Sequence, residues 1–264
     1  MADVLLGVDV QKEQQRAMKG LILAAGRGAR LNGGDSEMPK CLVSLGGETL
    51  LSRNIRLLRN AGVGEIVVVV GCAADTVKRT CRGVEFVENA RFAQTNSLYS
   101  LWLARPLLTD RFVVMNCDVL VHPQLLTDLL TARHEDALLL AYRDGDTSYG
   151  EEEMKVRVRC GRVIDISKVM DPQEADGENL GIVKFGAEGT RLLVEEMDAL
   201  IAGGNHKAWL PRAFKAFAER RPLYAIGCRG FPWTEIDFPE DYRRAIEVVL
   251  PQIERDLSAM PRPA

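Results

Sequence analysis

The 264-residue sequence predicts an α/β fold on an open, mostly parallel central sheet flanked by helices, with a β-rich insertion in its second half. Three observations predict it. Strand and helix patterns alternate about four times between residues 20 and 131, as in sheets with right-handed crossovers. Ile66-Val67-Val68-Val69-Val70 is an unbroken β-branched run, of the kind covered on both faces in a parallel sheet. The first apolar strand opens directly into a glycine-rich loop.

The elements follow in order. Residues 1–17 read as an N-terminal extension, with Val10 to Met18 as a short polar helix or a flexible arm. The domain itself takes in residues 18–250. Gly20 to Ala24 is a buried strand; the loop Ala25 to Gly34 follows, then Pro39-Lys40-Cys41-Leu42. Leu50, Leu51, Ile55, Leu58 and Ala61 repeat at helical spacing, and Gly62 stops that helix. After the strand Ile66 to Val70 come a short helix, Ala74 to Cys81, and a strand, Val84 to Val87. A helix opens at Thr95 or Asn96, turns Leu98, Leu101 and Trp102 inward and stops near Pro106. Phe112 to Asn116 is a strand ending at Cys117-Asp118, and Pro123 takes the first position of the next helix. Ala137 to Tyr142, Lys155 to Arg159, Val163 to Ser167 and Gly181 to Phe185 read as strands with little helix between them. Arg159-Cys160-Gly161-Arg162 is a hairpin turn. Helices at Gly189 to Ala202 and Leu210 to Ala218 follow, then a strand at Tyr224 to Gly227 and a short segment, Trp233 to Asp237. A helix from Pro239 to Leu250 closes the domain, and residues 251–264 read as a C-terminal tail.

Composition excludes several classes. Lys and Arg total 34 against 37 Asp and Glu, a net charge of -3, so no broad basic face is expected and nucleic acid is not an expected partner. No apolar run reaches the roughly 18 residues of a membrane span, so no membrane partner is expected either. The six cysteines form no C-x-x-C pair and no histidine stands at metal-ligand spacing, which argues against zinc and against a disulfide framework. Cys117 reads as a buried thiol. Asp3, Asp9 and Glu13 interrupt any signal-peptide pattern, so the cytoplasm is the expected location.

Glycines after a strand let backbone N–H groups approach an anion without Cβ clashes. This loop lacks the Gly-Lys-Ser/Thr of a P-loop, and Leu31 stands where a dinucleotide fingerprint needs its third glycine. On the glycines alone it also reads as a plain turn. Arg27, Arg30 and Lys40 bring three cations to it, with few carboxylates beyond Asp35 and Glu37. Asp118 ends a buried strand, where open α/β sheets bind ligands. Glu235 and Asp237 are two apart, so an extended segment points both to one face. Asp118 and Asp237, if they meet, are hard oxygen ligands suited to Mg²⁺, with Glu235 as a further ligand or the holder of a coordinated water. Taken singly, Asp118 also reads as a turn cap, and Glu235 and Asp237 as solvent-facing. His122, His134 and His206 read as ordinary surface residues.

The segment Leu23-Ala24-Ala25-Gly26-Arg27-Gly28-Ala29-Arg30-Leu31, with Pro39-Lys40-Cys41-Leu42 after it, resembles the signature of nucleotidyltransferases that join an NTP to a phosphorylated small molecule. Asn96-Ser97-Leu98-Tyr99-Ser100-Leu101 and Trp233-Thr234-Glu235-Ile236-Asp237 are similar to the LicC-type cytidylyltransferases. That branch includes phosphocholine, inositol-phosphate and aminoethylphosphonate cytidylyltransferases. Met154-Lys155-Val156 and Gly181 to Phe185 look like the same branch, and the resemblance runs from Lys19 to Leu250. It implies a Rossmann-like nucleotidyltransferase fold that takes CTP, Mg²⁺ and a small phosphate or phosphonate acceptor, and releases pyrophosphate.

In that reading Leu23, Ala24, Ala25, Gly26 and Gly28 hold CTP, and backbone groups near Ala25 and Gly71 read the pyrimidine. Asn96 and Ser97 hydrogen-bond the nucleotide at a helix N-terminus, although Asn96 also reads simply as the cap. Arg30 and Lys40 neutralise the triphosphate; Asp118 and Asp237 hold the metal. No general base is required, because the second pKa of a phosphate monoester is about 6. Lys168 and Lys155 are carried over as contacts to the acceptor phosphate. Glu178 lies in an acceptor loop, Gly177 to Gly181, where choline-using relatives carry an aromatic residue. Asn179 and Leu180 take that place here, which counts against phosphocholine and leaves a polyol phosphate or a phosphonate at least as well supported. Tyr99, Tyr149 and Trp233 are candidates for a cage, while Trp102 is better placed for the core. The rivals are a sugar-1-phosphate uridylyl- or guanylyltransferase, a metal-dependent glycosyltransferase and a non-catalytic nucleotide-sensing domain. The glycosyltransferase is disfavoured by the single acid in Asn116-Cys117-Asp118. A homodimer through the β-rich half is compatible with the sequence.

Overall fold

The computed structural model describes residues 18–31, 38–145 and 148–259. The expected N-terminal extension and the second part of the glycine-rich loop lie outside the described residues. In chain order the strands are β1 (Lys19–Ala24), the short pair β2 (Ser44–Leu45) and β3 (Glu48–Thr49), β4 (Glu65–Val70), β5 (Glu85–Glu88), β6 (Phe112–Asn116) and β7 (Val119–Val121). Then come β8 (Ala137–Tyr142), β9 (Lys155–Arg159), β10 (Arg162–Ser167), β11 (Gly177–Phe185), β12 (Tyr224–Gly227) and β13 (Trp233–Glu235). The helices are α1 (Leu50–Asn60), α2 (Ala74–Thr80), α3 (Ser97–Leu103), α4 (Pro123–Thr131), α5 (Ala187–Ala202), α6 (Pro211–Arg220), α7 (Pro239–Arg244) and α8 (Leu250–Ala259). Among the described residues no helix is long and apolar enough to cross a membrane.

Nine strands join in one sheet, in the order β5-β4-β1-β6-β11-β8-β12-β10-β9. β5, β4, β1 and β6 are mutually parallel, and Ile22 stands opposite both Val68 and Met115. β11 runs antiparallel to β6 and to β8, while β8 and β12 are parallel. The β-rich half is therefore an extension of the same sheet and not a separate layer. Both faces are covered, which is why the central strands are apolar at successive positions. Leu21, Val67, Val69 and Val114 pack with α3, α5 and α6; Ile22, Val68, Val70 and Met115 pack with α1 and α4 on the other face.

The elements begin and end for local reasons. Thr49 caps α1 by accepting from the Ser52 amide at 3.1 Å, and Gly62 at φ +87° lets the chain leave. Pro123 opens α4 as expected, but His122 before it is not a surface residue. It is fully buried, its Nδ1 accepts from the Gln124 amide at 3.1 Å, and its ring stacks on Phe231. Helix α3 buries Leu98 and Leu101 but leaves Trp102 at the rim. There the indole N–H donates to Asp198 at 2.7 Å and the Arg105 guanidinium lies over the ring.

Two boundaries differ from expectation. The segment Gly177 to Gly181 is the first half of β11 and not a loop. Gly177 is paired with Tyr142 on one side and Val156 on the other, and a Cβ there would meet the Ala141 carbonyl at 2.5 Å. The tail expected from 251 is likewise corrected: after α7 a π-helical turn, Ala245–Val249, leads straight into α8. Leu250 and Ile253 then pack against Leu45, Leu50, Leu120 and Ile236.

The feature that positions the site is a small antiparallel ribbon outside the main sheet. β7 pairs with β13, setting Val119 opposite Glu235 and Val121 opposite Trp233, and the Ile236 amide donates to the Asp118 carbonyl at 3.0 Å. The end of β6 and a segment far along the chain are thereby fixed side by side.

Candidate functional site

The ribbon brings three acids together. Asp118, Glu235 and Asp237 each offer a carboxylate oxygen, and these atoms lie within 4.8 Å of one another. Among the described residues Oδ1 of Asp118 has no hydrogen-bond partner, and it is buried. Burial, and after it the charges of Asp118 and Asp237, push the Glu235 carboxyl well above the ordinary carboxylate range. Ligand oxygens on opposite sides of one Mg²⁺ stand about 4 Å apart, so this hard, all-oxygen donor set with an orphaned oxygen fits a divalent cation.

Two cations face the acids. Pro39, buried and extended, feeds a 3₁₀ turn, Lys40–Leu42, that aims Lys40 at them. The Lys40 Nζ donates to Asp118 Oδ2 at 2.8 Å and to Asp237 Oδ1. Burial works to lower the pKa of this ammonium, but the charges of Asp118 and Asp237 outweigh it and hold it above the ordinary lysine value. Arg30 donates to Asp237 Oδ2 at 2.9 Å and to Glu152 Oε2 at 2.7 Å, and lies over the Phe238 ring. The glycine loop makes room for this. Gly28 has φ +68°, and a Cβ there would stand 2.6 Å from the Lys40 Cβ.

Two clefts meet at the acids. The first, about 360 Å³, is lined by Leu23, Ala25, Gly26, Gly28, Asn96 and Ser97 of the expected nucleotide set, with Arg30, Lys40, Asp118, Glu235 and Asp237. Asn96 both lines the cleft and caps α3, its Oδ1 accepting from the Ser97 amide at 2.7 Å. Ser97 Oγ accepts from the Leu210 amide at 2.8 Å. Ala24 and Gly71 of the expected set do not line this cleft. Ala24 points into the core, and Gly71 is a packing glycine, since a Cβ there would meet the Ala25 carbonyl at 2.8 Å and Phe92 at 2.7 Å.

The second cleft, about 960 Å³, shares Glu152, Glu235 and Asp237 with the first, so these residues form a partition between the two. Glu178, Tyr149 and Trp233 line it, together with Asp241, Arg244 and Gln252 from the C-terminal helices. The two lysines expected for the acceptor do not line it. Lys168 faces the first cleft, 3.1 Å from Glu152 and over the Trp209 ring. Lys155 is buried and lines neither; it donates to the Gly150 carbonyl at 2.6 Å and holds the turn before β9. Tyr99 lines neither cleft and packs at a tilt against Trp102, with ring centroids 5.3 Å apart. Glu152, which joins Arg30 to Lys168, was not legible: inside Glu151-Glu152-Glu153 it reads as a solvated charge run.

The family described as the MobA-like NTP transferase domain matches residues 20–220. The bifunctional IPC transferase and DIPP synthase of Rubrobacter xylanophilus is 33% identical over 236 residues, covering 87% of this chain and 51% of that protein. The chain thus spans about half the length of that relative. The choline-phosphate cytidylyltransferase of Streptococcus pneumoniae is 25% identical over 243 residues, 88% of this chain and 98% of that protein. The solved inositol-1-phosphate CTP transferase from T. maritima has the same fold, with a TM-score of 0.75 at 21% identity over 90% of this chain and 97% of that one.

Proposed function

We propose, from the premise that the chain belongs to the MobA-like NTP transferase domain family, that it is a cytidylyltransferase. It transfers CMP from CTP to a small phosphate or phosphonate acceptor and releases pyrophosphate. One observation carries this reading: Glu235 and Asp237 stand on the partition between two clefts, beside Asp118, with Lys40 between Asp118 and Asp237. A nucleotide in the first cleft and an acceptor in the second meet at that point. The choice of CTP is supported by the relative from Streptococcus pneumoniae, which is named for cytidylyl transfer.

In the transfer, an acceptor oxygen forms a bond to the α-phosphorus of CTP. The bond from that phosphorus to the bridging oxygen breaks, and its electron pair leaves with pyrophosphate. Both reactants are anions, so their approach has to be neutralised and the growing charge on the bridging oxygen stabilised. Lys40 and Arg30 are cations already held in place by carboxylates, so they act with little reorganisation. Asp118 and Asp237 are the residues to hold Mg²⁺, with Glu235 as a third ligand or through a water. The ion supplies Lewis-acid stabilisation of the phosphoryl oxygens. Leu23, Ala25, Gly26 and Gly28 shape the floor under the nucleotide. The acceptor needs no general base, being mostly dianionic at neutral pH. The same reading places the protein in the cytoplasm, where the buried free thiols Cys41, Cys81, Cys117 and Cys228 stay reduced.

The test is to incubate the purified chain with CTP, Mg²⁺ and a panel of phosphates and phosphonates, follow pyrophosphate, and look for a CMP conjugate by mass. A conjugate formed fastest from CTP is expected. Faster turnover with UTP or GTP would overturn the base assignment. Binding of nucleotide with no conjugate from any acceptor would favour the sensing domain.

A further inference from the structure

The second cleft carries more acid than its architecture uses. Its wall has seven carboxylates against two arginines, Arg229 and Arg244. Several of the acids have clear partners. Glu152 pairs with Arg30 and Lys168, and Asp237 with Arg30 and Lys40. Glu153 accepts from the Gly150 amide at 2.7 Å, and Asp241 accepts from the amides of Asp237 and Phe238 at the start of α7. Glu178 differs. It is largely withdrawn from water on β11, and among the described residues no hydrogen bond to its carboxylate contributes to its environment. Burial and the neighbouring charge of Glu153 raise its pKa to about 7, outweighing the opposing charges of Lys155, Lys168 and Arg244. A withdrawn carboxylate in that state gains most from a counter-charge brought by a ligand.

The surroundings of Glu178 suit one kind of counter-charge. Tyr142, Tyr149, Phe231, Trp233 and Phe238 line the same cleft. Aromatic faces beside a carboxylate favour an alkylammonium group, whose methylene or methyl surface packs on the rings while its charge meets the acid. A polyol tail would need a spread of neutral donors and acceptors. The Thr234 hydroxyl, one of the few on this wall, is already engaged by the Glu235 carbonyl and Arg244. An anionic tail would be repelled. Glu178 is also within electrostatic reach of Glu235, so the cation and the reacting phosphorus are separated by a short linker. The lack of an aromatic residue at Asn179 and Leu180, which counts against phosphocholine in the sequence, does not bear on this wall. Asn179 lines the first cleft and Leu180 is buried in the core. Other segments supply the rings.

We propose that the second cleft selects an acceptor bearing an ammonium group, held by Glu178 and the faces of Tyr149, Phe231 and Trp233 while its phosphate or phosphonate end lies at the partition. The inference rests on the transferase reading given above. It is tested with matched acceptors that differ only in charge: 2-aminoethylphosphonate against propylphosphonate, and phosphocholine against 3,3-dimethylbutyl phosphate. With CTP and Mg²⁺, kcat/KM is expected to favour the ammonium member of at least one pair by about tenfold or more. In Glu178→Gln that ratio is expected to fall about tenfold, with the loss in the KM of the ammonium acceptor. A ratio near one in the unaltered protein overturns the inference. So does a Glu178→Gln variant that slows both members alike and keeps the ratio, which is what a merely structural role predicts. Should Glu178→Gln fail to fold, Phe231→Leu is expected to lower the ratio severalfold, and an unchanged ratio is again fatal. If no acceptor is turned over, the transferase reading has failed, and calorimetric titration of the full chain with the same pairs decides this point alone. Tighter binding of the ammonium member sustains the subsite; equal or undetectable binding removes it.

Discussion

The two clefts that meet at Glu235 and Asp237 are made from different kinds of sequence. In the first, glycines after β1 and the Pro39-Lys40 turn place backbone and two cations against the strand ends, and residues of α3, β6, β11 and α6 complete the walls. The second is walled by residues from 141–153, from the start of β11, from 227–238 and from α7 and α8. The proposed transfer sets a fixed task and a variable one. Handling a triphosphate suits rigid backbone at the carboxyl ends of parallel strands. Choosing the acceptor suits side chains on peripheral segments, which can change without disturbing the sheet.

That contrast can be broken or sharpened by experiment. The largest effect is expected from Asp118→Ala, with pyrophosphate release from CTP falling about 10³-fold or more, as for loss of a metal clamp on a phosphoryl group. Activity within tenfold of the unaltered protein would remove Asp118 from the chemistry of either cleft. Lys40→Met comes next, with an expected loss of about 10²–10³-fold in kcat, as for a preorganised charge removed from a developing anion. A change confined to KM for CTP would make Lys40 a binding residue only.

The third prediction concerns stability in the second cleft. The Glu178 pKa of about 7 in the folded protein lies above its ordinary value of 4.5, so the native state holds this proton more tightly than the unfolded chain. Its contribution is therefore complete below pH 4.5 and is lost as the pH rises toward and through 7. Relative to Glu178→Gln, the unaltered protein is expected to lose about 2–3 kcal/mol of unfolding free energy between pH 5 and pH 8. Denaturant titrations at the two pH values check this, and parallel behaviour of the two proteins would show that Glu178 is well solvated. The smallest effect is expected from Gly28→Ala in the first cleft. The added Cβ strains the loop and pushes on Lys40, costing about 1 kcal/mol of stability and about tenfold in rate. A rate loss without any change in KM for the acceptor would keep the two clefts separable.

The part of the first cleft that follows β1 was legible from the sequence because its residues are neighbours in the chain, whereas Phe92, Glu152, Trp209 and Phe214, which also line it, come from distant segments and carried no signal. Asp118 and the Glu235–Asp237 pair were legible as separate strand-end features, although the ribbon of β7 and β13 that joins them left only a weak trace. Much of the second cleft was not legible. Gly177, Asn179 and Gly181 are poor strand formers, so the start of β11 reads as a loop. The structure accommodates them because Gly177 has no room for a Cβ, and Gly181 at φ +73° passes the Asn116 side chain at a register shift. The helix beyond 250 was missed because Pro251 and a charged run suggest an ending, whereas Pro251 stands just after the π-helical turn, where the regular i→i−4 ladder is already shifted. Lys155 was legible as an important lysine but not as a buried one, since the backbone carbonyls of Gly150 and Glu153 satisfy it and leave no pattern.

The ribbon also bears on how the protein comes into being. A ribosome delivers the cationic loop long before Glu235 and Asp237. Until the stretch from Trp233 to Asp237 has cleared the exit tunnel and zipped onto β7, an emerging chain has only one of its three acids beside Lys40. Any polypeptide cut short before Trp233 shares this lack, so assembly of the acid cluster waits on a segment made long after the loop it faces.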